Sequence, residues 1–301
     1  QLASLLYEKK EFSESHAIDN EAELLFRRDL KYCEEQFGDN HISTIKALVN
    51  ISHVVWGRRN QRAKEHVGKY GDETDLTAQK RQKIKELCET EMLLRRALNA
   101  KTIVYGEMDN STLRTKENLG AVLHELKHYD ESILLLRNVF DNRSSALGEN
   151  DTLTLGTCSL LVAAMVDRLK KNGDKNSGGS NGNNNGDGNR DGDGDTVIIE
   201  QLLRLELDGR ETTLGMAHTT TLFVVFKLGK YLSNAAACTT IQTKYNESLI
   251  LIVRAVEGFD TVLGNNSVCT LDARLCLSLL YLKNNSVVEG EKQARLCLEG
   301  F

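Results

Sequence analysis

Phe37-Gly38-Asp39-Asn40-His41-Ile42-Ser43-Thr44-Ile45 decides how this chain is read, because the string comes back four times. The copies are Tyr105-Gly106-Glu107-Met108-Asp109-Asn110-Ser111-Thr112-Leu113 and Leu147-Gly148-Glu149-Asn150-Asp151-Thr152-Leu153-Thr154-Leu155. They continue with Leu214-Gly215-Met216-Ala217-His218-Thr219-Thr220-Thr221-Leu222 and Leu263-Gly264-Asn265-Asn266-Ser267-Val268-Cys269-Thr270-Leu271. The glycines stand 68, 42, 67 and 49 residues apart, so a unit of 42 recurs and the longer intervals carry insertions. Glycine after an apolar residue suits the left-handed position just past a helix C-terminus. The His, Asp or Ser three residues on can cap the next helix, Asp and Ser being strong caps and His a poorer one. Thr44, Thr112, Thr154, Thr221 and Thr270 then fall at the third helical position, and the apolar residue after each starts a new buried stripe. Each string is a joint between two helices.

Eleven residues before the glycine stand Arg27, Arg95, Arg137 and Arg204, with Val253 beside Arg254 in the fifth copy. Segments 23–30 and 92–98 have helical apolar spacing. Of the 301 residues 40% are apolar and 27% charged, enough to build a core. A net charge of −5 opposes a nucleic-acid platform, which carries a basic excess. Leu160–Val166 and Leu249–Val253 are the best apolar runs, well short of the ~18 residues of a membrane helix. The absence of proline suits a helical chain better than a loop-rich all-β one. Cys33, Cys88, Cys158, Cys238, Cys269, Cys276 and Cys297 form no C-x-x-C and are odd in number, so small buried thiols in a reducing, cytoplasmic setting are expected. Lacking a starting Met and a leader, the sequence reads as a piece of a longer solenoid, with Leu2–Glu8 the tail of one helix and Glu289–Phe301 an unfinished one.

The clearest whole unit, Thr112 to Gly148, holds Asn118-Leu119-Gly120, Leu123, Tyr129-Asp130-Glu131-Ser132, Leu136 and Phe140. It resembles the tetratricopeptide repeat in the longer form seen in kinesin light chains and their relatives. There the pattern is a Leu-Gly-x-x-His-Pro-x-Thr joint, an Asn-Leu-Ala/Gly first helix, a Gly-Lys-Tyr turn and an Arg-Arg-Ala-Leu second helix. The turn reappears at 10–15, 127–132 and 243–248. The resemblance implies an all-α fold, a right-handed α-α superhelix of antiparallel helix pairs, as one array over residues 1–301. The chain departs from the pattern in lacking the joint proline and in keeping the first-helix Asn only at Asn50 and Asn118; Leu160, Lys227 and Cys276 hold the equivalent places.

Three insertions interrupt the array. Residues 58–85 are polar and rich in Lys and Arg around a Tyr70-Gly71-Asp72 break, and read as a finger of two helices. In residues 172–195, 22 of 24 are Asn, Gly, Asp or Ser; without apolar side chains such a segment is expected to be disordered. Its Asp187-to-Asp193 alternation is no calcium loop, since the twelfth position is Ile198 rather than Glu. Residues 233–240 carry no readable chemistry.

Catalytic strings fare poorly. His124-Glu125-Leu126-Lys127-His128 matches the zinc-hydrolase signature, but the chemistry needs an unbroken helix across all five residues. The repeat frame puts His124 in the last turn of a first helix and His128 in the turn beyond. Gly178-Gly179-Ser180-Asn181-Gly182 lacks the strand-turn-helix setting of a nucleophile elbow. Neither an enzyme nor a cofactor is expected.

In tetratricopeptide arrays the first helices line a concave groove for a peptide or helix. Carried over position by position, the resemblance assigns Lys46, Asn50, His53 and Trp56 from the Thr44 repeat. From the Thr112 repeat it assigns Arg114, Glu117, Asn118, Ala121, His124 and Glu125. Lys227 and Lys230 follow from the Thr221 repeat, and Asp272 and Lys283 from the last. An Asn amide both donates to and accepts from a peptide backbone. Trp56 suits a binding anchor, or equally a packing residue against the finger. The expected function is a protein-interaction scaffold for a protein or peptide ligand, with no nucleic acid, membrane or small-molecule substrate; a structural or sensor arm of a larger signalling or motor protein is the alternative, and a zinc hydrolase through His124, Glu125 and His128 a remote one.

Overall fold

The structure, a computed structural model, describes residues 16–65, 73–177, 190–235 and 241–300. The described residues form eleven helices and no strand: α1 (His16–Phe37), α2 (Ile42–Glu65), α3 (Glu73–Tyr105), α4 (Asn110–Glu125), α5 (Tyr129–Leu147) and α6 (Thr152–Ser177). Then come α7 (Arg190–Leu214), α8 (Thr219–Ala235), α9 (Ile241–Leu263), α10 (Val268–Lys283) and α11 (Val287–Gly300). They fall into two compact units, residues 1–142 and 143–301.

The joints behave as the repeated string requires. Gly38, Gly106, Gly148, Gly215 and Gly264 all have φ between +81° and +93°, a region costly for any residue with a Cβ. Each donates its N–H to the carbonyl four residues back, as Gly148 does to Ser144 at 3.0 Å, closing the helix end. Two residues of loop follow, and a side chain then takes up a free N–H of the next helix. Asp109 accepts from Ser111 N–H at 2.8 Å and Asp151 from Leu153 N–H at 2.9 Å. The expected cap ranking does not hold at the other joints. His41 and His218 cap through Nδ1, accepting from Ser43 and Thr220 N–H at 3.2 and 3.3 Å, whereas Ser267 makes no side-chain cap. An imidazole nitrogen reaches the amide two residues on as a carboxylate does. The five joint threonines are fully buried; Thr44 and Thr270 donate to the carbonyls of Gly38 and Gly264 at 2.8 Å.

Paired helices cross closely where one of them has no side chain. A Cβ on Gly120 of α4 would sit 2.7 Å from Leu136 Cγ of α5, and one on Gly229 of α8 would sit 2.8 Å from Ile252 Cγ1 of α9. Opposite each glycine a serine donates to its carbonyl: Ser132 to Gly120 at 2.7 Å and Ser248 to Gly229 at 2.8 Å. Between α10 and α11 the roles are exchanged, Ser278 donating to the Gly290 carbonyl at 2.8 Å.

In the first unit Phe26 and Leu30 of α1, Leu48, Ile51 and Val54 of α2 and Leu93 and Ala97 of α3 make one core cluster. In the second, Leu222, Val225 and Phe226 of α8, Ile252 and Phe259 of α9 and Leu277 and Leu280 of α10 make another. Over Thr152–Gly173, α6 is long and apolar enough to cross a membrane by length and hydropathy, which the search for unbroken apolar runs missed. Its Leu155, Leu161, Val162 and Met165 are nonetheless buried, the pattern of a core helix.

The insertions are more helical than composition suggests. α6 and α7 run into the 172–195 segment as far as Ser177 and from Arg190, against the expectation of disorder throughout; Arg168 and Asp195 pair beside it. Each helix is already nucleated by its packed portion, and adding a residue to an existing helix costs little. Residues 178–189, with the nucleophile-like string and the first three residues of the calcium-like alternation, lie outside the described residues, as do 1–15, the Tyr70–Asp72 break, residues 236–240 and Phe301. The finger's flanks are continuous with α2 to Glu65 and with α3 from Glu73.

One turn breaks the local rule. Lys127 has φ +63°, and the Lys127 and His128 N–H groups donate to the carbonyls of His124 and Leu123 at 3.0 and 2.9 Å, a close normally made by glycine. Lys127→Gly is therefore expected to raise the unfolding free energy by about 1 kcal/mol, and Gly148→Ala, which meets no neighbour, to lower it by about 1 kcal/mol. Gly120→Ala, which meets Leu136, is expected to cost about 1–3 kcal/mol. Urea denaturation of the three variants checks the order.

Candidate partner-binding surface

The residues assigned to a groove fall into one group in each unit. In the first unit α2 carries Lys46, Asn50, His53 and Trp56, and α4 carries Arg114, Glu117, Asn118, Ala121, His124 and Glu125. Two side-chain contacts join these helices. The Asn118 amide lies 3.4 Å from His53 Nε2, and Trp56 Nε1–H donates to Glu125 Oε1 at 3.2 Å. With the amide donating, His53 accepts on Nε2 and is neutral. Burial holds the His53 pKa below its ordinary value, and the nearby charges of Arg114 and Lys101 push it the same way.

Trp56 is half-buried against Leu87, Leu94, Leu119, Val122 and Leu123, so it joins α2 to α3 and α4. Ala121 is buried. Lys46 and Arg114 are exposed; Asn50, Glu117, His124 and Glu125 are half-buried.

In the second unit, Lys230 lies 4.0 Å from Asp272, an exposed pair linking α8 to α10, and over the ring of Phe226 on its own helix at 5.5 Å, a cation–π contact. Lys227 and Lys283 are exposed.

The zinc reading meets a broken helix. α4 ends at Glu125, Lys127 turns left-handed and His128 lies before α5, so the two histidines do not share a helical face. Glu125 is engaged by Trp56, and the His124 ring sits 5.7 Å from that of Tyr129. Among the described residues no group of three His, Cys, Asp or Glu side chains is placed to hold a metal ion.

Sequence reading noted the arginines but missed their partners. Arg27 pairs with Glu23 on α1 and Glu89 on α3; Arg95 pairs with Glu91 on α3 and, at 2.7 Å, Glu131 on α5. Arg204 pairs with Glu200 on α7 and, at 2.6 Å, Glu247 on α9. The signal was available: six residues before each arginine of α3, α5 and α7 stand Glu89, Glu131 and Ile198, so α7 lacks the acidic rung. A second missed device fastens joints. Lys101 donates to Thr115 Oγ1 at 2.8 Å and the Ser111 carbonyl, and Arg143 to Thr157 Oγ1 at 2.7 Å and the Leu153 carbonyl, from equivalent places in two repeats.

The thiols are mostly packing groups. Cys158 is fully buried and its pKa is pushed up to about 12 by burial, with the Glu206 carboxylate adding to it. Cys269 and Cys276 pack against the α8–α10 cluster. Cys88 on α3 is exposed.

Two outcomes follow. Because the folded pKa of His53 lies below the unfolded value of about 6.5, the unfolded chain takes up the proton first. The His53 contribution to stability is complete above that pH and is lost as pH falls below it. Thermal melts between pH 7.5 and 5.5 should show a smaller loss for His53→Asn than for the parent chain. Iodoacetamide at pH 8 should label Cys88 in the folded protein and Cys158 only after unfolding.

No family profile matches the sequence, and no curated protein does. Solved structures do. A Podosopora anserina protein described as a kinesin light chain with nearly identical TPR-like repeats superposes with a TM-score of 0.55 at 15% identity, over 74% of this chain and 91% of that one. A form of that protein with one Gln replaced by Met gives 0.56 at 15% identity with the same coverage. BtubC (BKLC) from P. vanneervenii gives 0.60 at 9% identity, over 94% of this chain and 90% of that one. At these identities the likeness is one of fold: this chain has the α-α solenoid fold of the TPR-like arrays of kinesin light chains.

Proposed function

We propose that this chain is a non-catalytic protein-interaction scaffold that binds peptide segments or helices of partner proteins on the face lined by the first helix of each repeat. The observation that carries the reading is the pairing of α2 with α4. His53 with Asn118 and Trp56 with Glu125 hold the two helices in fixed register, while Lys46 and Arg114 stand exposed beside them. A surface already ordered loses little entropy on binding. Lys227, Lys230, Asp272 and Lys283 offer the corresponding positions in the second unit. The fold is shared with arrays named as kinesin light chains, which supports an interaction role of the same general kind. The cysteine usage of the sequence favours the cytoplasm as the setting.

Peptide-library selection on the chain, beside an Arg114→Glu/Asn118→Ala double variant, tests the reading. The native chain is expected to enrich one motif, whose affinity drops at least tenfold on the variant. Absence of enrichment on the native chain, or equal binding by the variant, overturns it.

A further inference from the structure

The last helix pair leaves uncovered positions that its counterparts bury. On α11, Arg295 pairs with Glu291 four residues back, as Arg27 does with Glu23, Arg95 with Glu91 and Arg204 with Glu200. That shared pair sets α11 in register with the other second helices. Three residues after the arginine position stand Leu30, Leu98, Phe140, Leu207 and Val256, each buried or half-buried. Leu298 holds this place on α11 and is 76% exposed. The first helix α10 shows the same contrast with α2. Counted from the joint glycine, Leu275, Leu279 and Leu282 stand where α2 has Val49, His53 and Trp56. The α2 residues are half-buried, whereas the three leucines are 50%, 52% and 45% exposed along one side of their helix.

What lies on these positions elsewhere is plain. Trp56 of α2 and Leu98 of α3 both pack against the cluster to which α4 gives Leu119, Val122 and Leu123. His53 meets Asn118 and Trp56 meets Glu125, again on α4. Lys230, the counterpart of Leu279 on α8, reaches Asp272 on α10. The first helix of the following pair is thus the neighbour these positions face. The second helix of that pair brings a carboxylate: Glu89 to Arg27, Glu131 to Arg95 and Glu247 to Arg204. Among the described residues Arg295 ion-pairs with Glu291 alone, and it is 72% exposed. Four leucines in solvent at matched positions, beside an arginine with half the partners of its counterparts, outline one such neighbour.

We propose that the α10–α11 face is an open repeat interface, and that its occupant is one further helix pair of the chain's own pattern. Its first helix carries an apolar i, i+3, i+4 stripe like that of α4, and its second helix a carboxylate for Arg295. The probe is the full chain extended after Phe301 by a copy of its own residues 102–147. The copied joint glycine then falls eleven residues after Arg295, the spacing of the other copies. Hydrogen–deuterium exchange read by mass spectrometry is expected to slow at least tenfold in α10 and α11 relative to the unextended chain. Leu119→Asp/Leu123→Asp in the appended copy is the control and is expected to give no slowing. Leu282→Asp/Leu298→Asp in the extended chain is expected to abolish the slowing; should that variant unfold in a thermal melt, Leu298→Asp alone takes its place. Glu131→Arg in the copy is expected to lose part of the slowing, and Arg295→Glu beside it to regain that part. Equal exchange in the extended and unextended chains, slowing by the control, slowing kept by the leucine variant, or no recovery in the charge exchange overturns the proposal. Self-association of the unextended chain in sedimentation, abolished by Leu298→Asp, overturns it as well, by giving the face to a second copy.

Discussion

Everything in this chain hangs on a backbone constraint of a few residues: the helix that ends in a left-handed glycine and restarts three residues later. With φ near +90°, Gly148 turns the chain out of α5, and the Asp151 carboxylate accepts the Leu153 N–H in the first turn of α6. The buried threonine one turn on fixes how deep the new helix sits. Because the same left-handed glycine recurs at each joint, the chain leaves each helix end in the same sense, and the apolar face of the next helix meets the helix before it. A solenoid follows from repetition of a local device rather than from any long-range pairing.

Between the joints, side chains complete the packing in two ways. Inside, a glycine on one helix lets the partner approach, and a serine opposite donates to the bare carbonyl. The exchange of the two residues between α10 and α11 shows that the crossing needs one small residue and one donor, on either helix. Outside, arginine–glutamate pairs link successive second helices. Exposed pairs of this kind contribute about 0–1 kcal/mol each, so they set register more than they add stability.

First and second helices differ in how their exposed side chains are engaged. On the first helices, polar residues engage one another, as His53 does Asn118 and Trp56 does Glu125, leaving Lys46 and Arg114 to solvent. On the second helices the charges are bound up in ladders while single apolar side chains remain uncovered.

The sequence alone determined the helix pairs, the place of every described joint and the break between His124 and His128, because each is a local consequence of glycine, capping and apolar spacing within one turn of the chain. It was silent where the deciding contact came from a distant residue. The burial of Ala121 and the exposure of Cys88 depend on which helix lies next to them, and the partners of Arg27, Arg95 and Lys101 lie on neighbouring helices or beyond a joint. That Trp56 packs across helices, and that the low-complexity segment is helical at both margins, were also decided by tertiary structure. Periodicity says which side of a helix is apolar; only the packed neighbours say which residues of that side are covered.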